Sequence, residues 1–380
     1  MEMKIVRTLR MITRWRAPLM SAILLLATAC GAPEQGVPEM NDQERQTVET
    51  YTETQAPVCI GRFQVDMPSQ LKPSFSSLTV NEAKISAKSS SRQMFEHLID
   101  KRKAELEAMH TVDAGDQPFL KRIIHVSDDM VFIDRNESPH KPDAARLLEG
   151  YKFAGLTMFS VKLTAIDVDD EKYREQWKLR QSNKSERLKQ VEYLLNHLSP
   201  RKAGEVPERP GLCFEHGFLA GGADETIPGA AVPTHKEQVG IRFSDNKNRD
   251  IYIHFYTDSI IAEEDTLLDR TNQAERALAN DQHFSVLRKG EVDLDGIDQA
   301  EEWLSAGTTD ENVKGNYFNL EANSRKGSPG TPYIDISLRN GQFAHGEEHP
   351  TIDQASLTNA EAVGLWDAIT RTFKPRPGAF

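Results

Sequence analysis

The 380-residue chain carries a formal charge of −12 and is 38 % hydrophobic, enough apolar sequence for folded domains. Set aside residues 1–29, where Lys4, Arg7, Arg10, Arg14 and Arg16 outweigh Glu2, and the remainder stands at −16. Nucleic acid is thereby disfavoured as a partner, because its binding rests on basic patches; an acidic surface favours solubility and basic partners.

In chain order, the basic start gives way to an apolar run over residues 18–29, broken only by Ser21 and Thr28. A basic region, a short apolar region and small residues are the parts of a secretory signal. The run falls short of the roughly 20 apolar residues that a membrane span needs. Ala27, Thr28 and Ala29 precede Cys30, and Leu-Ala-Thr-Ala-Cys-Gly resembles a bacterial lipobox. The resemblance implies that Cys30 is lipidated and becomes the N-terminus of the mature protein. Gly31 in place of aspartate implies the outer membrane of a Gram-negative cell, and two or more acyl chains hold stably where one is marginal. Residues 30–55 are polar and rich in Glu, Gln and Thr, and are expected to be a flexible tether.

About 320 residues remain, a length that suggests two domains. The first is expected over residues 56–200. "VCIGRFQVDMP" (residues 58–68) alternates and ends in proline like an edge strand, and "EAKISAKSS" is a second strand. Residues 91–110 begin with a capping serine and place Met94, Phe95, Leu98, Ile99, Leu106 and Met109 at helical spacing. Two hairpin-like stretches follow, then a long charged helix from about Asp169 that Pro200 stops. The linker spans residues 200–210, with Gly204, Pro207 and Pro210.

The second domain is expected over residues 206–376. "GLCFEHGFLAG" again opens with a cysteine strand. Two strands, a helix, a meander and a final helix stopped by Pro375 follow. The order repeats that of the first half, so the chain reads as a duplicated α+β unit: two similar domains, each an antiparallel sheet with helices packed on one face. Cys59 and Cys213 stand at the two domain starts. In an oxidising periplasm they read as a disulfide fixing one domain against the other; two separate buried thiols are the alternative.

Chemistry is sparse. The chain has no G-x-S-x-G elbow, P-loop or G-x-G-x-x-G. "HGEEH" (residues 345–349) fits the H-x-x-E-H metal pattern, but Gly346 and Pro350 oppose the helix that would bring His345 and His349 to one face. "DLDGID" (residues 293–298) has its glycine two places too early for an EF-hand and reads as a turn. His254 reads as a structural strand residue, and Trp303 and Trp366 as core. The acidic runs "AEEDTLLD" and "DQAEE" read as solvated faces that could also meet a basic partner. No catalytic residue, metal ligand or cofactor is assigned.

"CIGRFQVDMP" at the head of one half and "GLCFEHGFLAG" at the head of the other resemble the lipoprotein immunity proteins that neutralise type VI secretion phospholipase effectors. The likeness runs from about Val58 to Pro375. It implies a non-enzymatic inhibitor, anchored to the membrane through lipid alone and facing the periplasm. Such an inhibitor binds a cognate phospholipase near the lid over its active site, with the two domains arranged as a clamp. The cleft between residues 56–200 and 206–375 is then the expected partner surface, with no single contact residue assigned. Two other readings share some of these features. One is a non-catalytic envelope scaffold lipoprotein; the other is a periplasmic hydrolase using His345 and His349.

Overall fold

The structure, a computed structural model, describes residues 36–380 apart from 175–179, 232–234, 279–282 and 346–349. Cys30 and the signal residues lie outside the described part.

The first described element is a helix, α1 (Asp42–Thr52), where the sequence suggested tether. Asn41 caps it by accepting from the Gln43 and Glu44 amides, and Glu44 returns a bond to the Asn41 amide at 2.9 Å. Only Tyr51 is buried among its residues. Its composition is therefore that of a linker, and distant contacts hold it in place.

Two halves of one plan follow. The first runs through the hairpin β1 (Gln55–Ile60) and β2 (Phe63–Pro68), then the hairpin β3 (Leu71–Val80) and β4 (Ala83–Ser89). Helix α2 (Arg92–Glu107) leads to a meander of β5 (Leu120–Ser127), β6 (Met130–Asn136), β7 (Ala145–Ala154) and β8 (Thr157–Ile166). Helix α3 (Lys184–His197) and the short strand β9 (Leu198–Pro200) close it. The second half repeats this order with the hairpin β10 (Gly211–Phe214) and β11 (Gly217–Ala220), then β12 (Glu237–Asp245) and β13 (Ile251–Asp258). Helix α4 (Leu267–Leu278) precedes β14 (Ser285–Leu294), β15 (Ile297–Thr308), β16 (Lys314–Ala322) and β17 (Tyr333–Asn340), closed by α5 (Asn359–Thr370) and β18 (Lys374–Pro375).

The long strands form one antiparallel twelve-stranded sheet in the order β14-β15-β16-β17-β13-β12-β3-β4-β8-β7-β6-β5. Read outward from the centre, both halves have the same internal order. They meet where β3 and β12 pair antiparallel, Leu71 opposite Asp245 and Val80 opposite Glu237. A pseudo-two-fold axis therefore passes between these two strands. The short hairpins are exchanged across it. Strand β18, at the end of the second half, completes the β1-β2 hairpin, and β9, at the end of the first, completes β10-β11.

The class is α+β with antiparallel sheets. The helices, expected on one face of each sheet, are shared between both faces, as strand alternation requires. On β6, Met130 and Phe132 join the cluster containing α3 Val191, Leu194 and Leu195, whereas Val131 and Ile133 join α2 Phe95, Ile99 and Leu106. On β15, the even residue Glu302 accepts from Trp366 of α5 at 3.1 Å, and the odd residue Trp303 donates to Glu275 of α4 at 3.0 Å. The large core thus lies on the α3/α5 face, where Phe63, Phe373 and Phe255 stack at 5.0 and 5.7 Å and Trp366 is fully buried.

Two further elements differ from the sequence reading. Residues 58–68 are a hairpin rather than one strand: Gly61 turns the chain at φ +54°, a conformation open to glycine, and the alternating pattern runs straight through the turn. Where a charged helix was expected from Asp169, the described residues form a 3₁₀ turn at Glu171–Tyr173, which buries Tyr173, and a helix over Lys184–His197.

Near the axis, Cys59 and Cys213 are joined as a disulfide with Cα atoms 5.7 Å apart. Reciprocal bonds between Gly61 and Cys213, at 2.8 and 2.9 Å, bring the two hairpin tips together. Arg62 donates to both oxygens of Glu237 and to the carbonyls of Gly221 and Ala379; Arg376 donates to the carbonyls of Pro207, Arg209 and Gly211.

Candidate interaction surface

On the α3/α5 face the central strands contribute Val239, Ile241, Phe243, Ile253, Phe255, Ile334, Ile336 and Leu338, all buried. Alternation sends their neighbours to the opposite face, where α2 stands at one end and α4 at the other. Between those helices the sheet is open. Strand register lines up three rows across it. One runs Phe75–Arg242–His254–Ser337–Asn319–Trp303, the next Lys72–Ser244–Tyr252–Arg339–Tyr317, and the third Ser77–Gly240–Tyr256–Asp335–Glu321.

Cross-strand neighbours in these rows pack by cation–π and ring contacts. The Arg242 guanidinium lies 5.9 Å from the Phe75 ring and 5.8 Å from Tyr252, and donates to Ser74 Oγ at 3.1 Å. His254 stacks on Tyr256 with centroids 6.4 Å apart, and Arg339 lies 5.5 Å from the Tyr317 ring. Arg339 also donates to the carbonyls of Phe318 and Leu338 and to Asn319, so its fork is held by three acceptors. Gly240 keeps a notch beside His254: a Cβ there would fall 2.8 Å from Ser77 Oγ and 3.4 Å from His254 Nε2. Phe75 remains 46 % exposed, a large apolar side chain standing free on a polar face.

The walls are fixed by charge. Trp303 and Lys289 both bond Glu275 of α4, the latter at 2.7 Å, and Arg270 forks onto Glu321. At the α2 end, Glu149 is fully buried and accepts from Arg102 at 2.6 and 3.0 Å, from Arg135 at 2.6 Å and from Tyr151 at 2.6 Å. Burial raises the Glu149 carboxyl, yet these donors together hold it down at about 2. At the other end burial, reinforced by the Glu321 charge, pushes Asp335 up to about 6. His254 is lowered by burial and by the Arg242 and Arg339 charges, which keeps its imidazole neutral near pH 7.

Of the residues singled out from sequence, Cys59 and Cys213 meet in the disulfide. His254 and Trp303 lie in the open face, Trp366 in the core. His345 sits in a turn, and His349 lies outside the described residues, as does Cys30. Among the described residues no group of three or more His, Cys, Asp or Glu is placed to hold a metal ion. "DLDGID" is the turn between β14 and β15. Of the acidic runs, Glu263, Glu264, Asp265, Asp269 and Asp298 are exposed, as expected of solvated faces, whereas Glu302 is buried and takes Trp366, Arg288 and Arg371, and Glu301 accepts from the Leu268 amide. Phe75, Arg242, Tyr252 and Arg339 were passed over. For Arg242, Tyr252 and Arg339 the signal is in "GIRFSD", "IYIHFYTD" and "ISLRN", where outward positions carry rings and guanidinium groups instead of small polar residues; for Phe75 it is the lone ring among the polar residues of "KPSFSS".

Two family models match the chain one after the other: the N-terminal domain of Tle cognate immunity protein 4 over residues 56–201, and the C-terminal domain of the same protein over residues 205–378. Among solved structures, the fold is similar to an apo immunity protein, TplEi of the T6SS of Pseudomonas aeruginosa, with TM-score 0.64 and 20 % identity over 86 % of this chain and 98 % of that one. It is also similar to a chain of the Tle4–Tli4 complex, with TM-score 0.65 and 21 % identity over 86 % of this chain and 99 % of that one. TplEi bound to an "L" peptide gives TM-score 0.60 at 20 % identity, covering 85 % of this chain and 98 % of that one. A comparison with curated proteins gives no significant match. With residues 56–201 and 205–378 matched in order to its two domains, the chain belongs to the Tle cognate immunity protein 4 family.

Proposed function

We propose that this chain is a non-catalytic immunity protein that binds a phospholipase effector of the type VI secretion system and blocks it by occlusion, protecting the cell from its own or a sibling's toxin. The observation that carries the reading is the match of both halves to the immunity family. The open face supports it. That face spans the junction between the matched regions and is wide enough to receive a protein element, and its rings and arginines are the residue types enriched at interface cores. A stable grip needs an interface on the order of 1,600 Å² or more. Occlusion of the effector's active site or lid belongs to this proposal, as does anchoring of Cys30 by lipid to the outer membrane with the folded part in the periplasm. The experiment is a titration. The mature chain is added to the phospholipase it captures from its own envelope, and hydrolysis of phospholipid vesicles is followed. Inhibition that saturates near one-to-one supports the proposal. Capture of envelope assembly proteins, with no effect on any phospholipase, would replace it with the scaffold reading.

A further inference from the structure

The chain is acidic, but one flank of its open face is not. Lys84 of β4 stands directly opposite Lys162 of β8. Like charges facing each other across a ladder destabilise it. Beside them a cavity of about 320 Å³ lies between α2 and the sheet, bordered by Lys88, Lys101, Arg102 and Lys162, with Glu105 as its only carboxylate. Arg102 is already spent on Glu149 and Glu105. Lys84, Lys88, Lys101 and Lys162 are exposed, and none of the four has an ion-pair partner among the described residues. Ser86 and Ser160, bonded to each other at 2.8 Å, floor the space between them. Lys84 stands opposite Thr79 of β3, and alternation puts Thr79, Ser77 and Phe75 on the same face of that strand, with Phe75 opposite Arg242. Four unmatched positive charges gathered in a chain of net −12 are a local reversal of its field.

We infer that this part of the open face docks an acidic segment of the partner protein, its carboxylates entering the lysine-lined cavity while Phe75 packs against the same segment. The inference rests on the immunity reading, and it assigns to one region of the surface the contact chemistry that reading leaves open. It also sets the polarity: the partner's matching element is acidic, although the chain's overall charge points toward a basic one. A single anionic headgroup would fill the cavity alone. The continuity of the lysines with Phe75, Arg242 and Tyr252 favours a polypeptide that spans both.

The test uses the full mature chain, the phospholipase that the native chain captures, and the triple substitution Lys84→Glu, Lys88→Glu and Lys162→Glu. A control carries the same charge change at the exposed Lys202, Lys247 and Lys314. The expected result at low salt is binding weakened on the order of tenfold or more in the triple variant and within about threefold of native in the control. The native affinity falls with added salt, and the triple variant's falls less. Both variants should melt with the native chain, since the changed side chains are exposed. Equal weakening in both variants, or none in either, would overturn the inference while leaving the immunity reading intact. Retained phospholipase binding, with loss only of binding to phosphatidylglycerol vesicles, would reassign the lysines to lipid phosphate and overturn it as well. A native chain that captures no phospholipase would bring down the immunity reading itself. The acidic-segment inference would then stand only if the proteins captured by the native chain were lost from the triple variant.

Discussion

Arg62 and Glu237 pair across the junction of the two halves, Nε to Oε2 at 3.0 Å, with side chains 1 % and 7 % exposed. Arg62 comes from the turn of the first short hairpin and Glu237 from the first residue of β12. Removing one member of a buried pair leaves the other charge without compensation, at a cost of about 3–5 kcal/mol. Arg62→Ala should therefore lower the denaturant midpoint strongly. Arg62→Met with Glu237→Gln should recover much of the loss, because no buried charge is stranded. Urea titrations of the three chains, followed by tryptophan fluorescence, provide the check.

The disulfide closes a loop over a sequence separation of 154 residues. In the chain-entropy account, a loop of that length restricts the unfolded ensemble by about 5 kcal/mol. Unfolding in the presence of reductant, or of the Cys59→Ser, Cys213→Ser double variant, should show a stability drop of several kcal/mol. Hydrogen exchange should place the first loss of protection in the two short hairpins, since the bond lies between them.

Acid and neutral pH should act on opposite ends of the open face. Glu149 is held at about 2, below its ordinary 4.5. The stability it contributes is present above pH 4.5 and is lost as pH falls through 2, on the order of 3 kcal/mol. Asp335 is raised from 3.8 to about 6, so its contribution has the other sign: it is favourable below pH 4 and is lost as pH rises through 6. Asp335→Asn is expected to gain about 1 kcal/mol at pH 7 after allowance for solvent screening, and nothing at pH 3.5. Glu149→Gln should be destabilised at pH 7, with the difference from native shrinking below pH 3. Thermal melts over pH 2–8 separate the two.

Phe75 offers a direct probe of the interaction surface. Its ring is 46 % exposed, so Phe75→Ala should change folding stability by less than about 0.5 kcal/mol. Loss of a ring from the centre of an interface costs about 1–2 kcal/mol or more. The measured signature is a faster dissociation rate from the effector with an unchanged melting temperature.

Much of this architecture was legible in the sequence because local chemistry and tertiary role agree there. Ser91 caps α2, Thr358 caps α5, and the β-branched and aromatic runs of the two meanders fall into strands near their expected places. Helix α1 was not legible. Its residues are polar and only Tyr51 is buried; what orders it is remote, the Tyr51 hydroxyl donating to Asp245 at 2.8 Å and Thr358 donating to Glu44 at 2.8 Å. The union of both sheets through β3 was hidden for a related reason. "LKPSFSSLTV" carries a proline and four exposed residues, so it lacks the alternation of a central strand, and its pairing with β12 includes a register shift. At the surface, the rings and arginines of β12, β13 and β17 were visible as residues, but only the register of six strands, β3, β12, β13, β17, β16 and β15, shows that they form rows.

The exchange of closing strands gives this chain the wiring of a two-fold dimer written into a single polypeptide. In a true dimer, both sides of the axis would present the same side chains, and a ligand lying across them could sit either way round. Fusion removes that constraint. Counted from the hairpin turns, the place where Lys88 faces Met158 on one side is occupied by Tyr256 facing Asp335 on the other. A guest laid across this saddle therefore meets cations at one flank and rings beside a carboxylate at the other. The frame supplies breadth through near-symmetry, and the divergence of its two flanks selects a single orientation for whatever it holds.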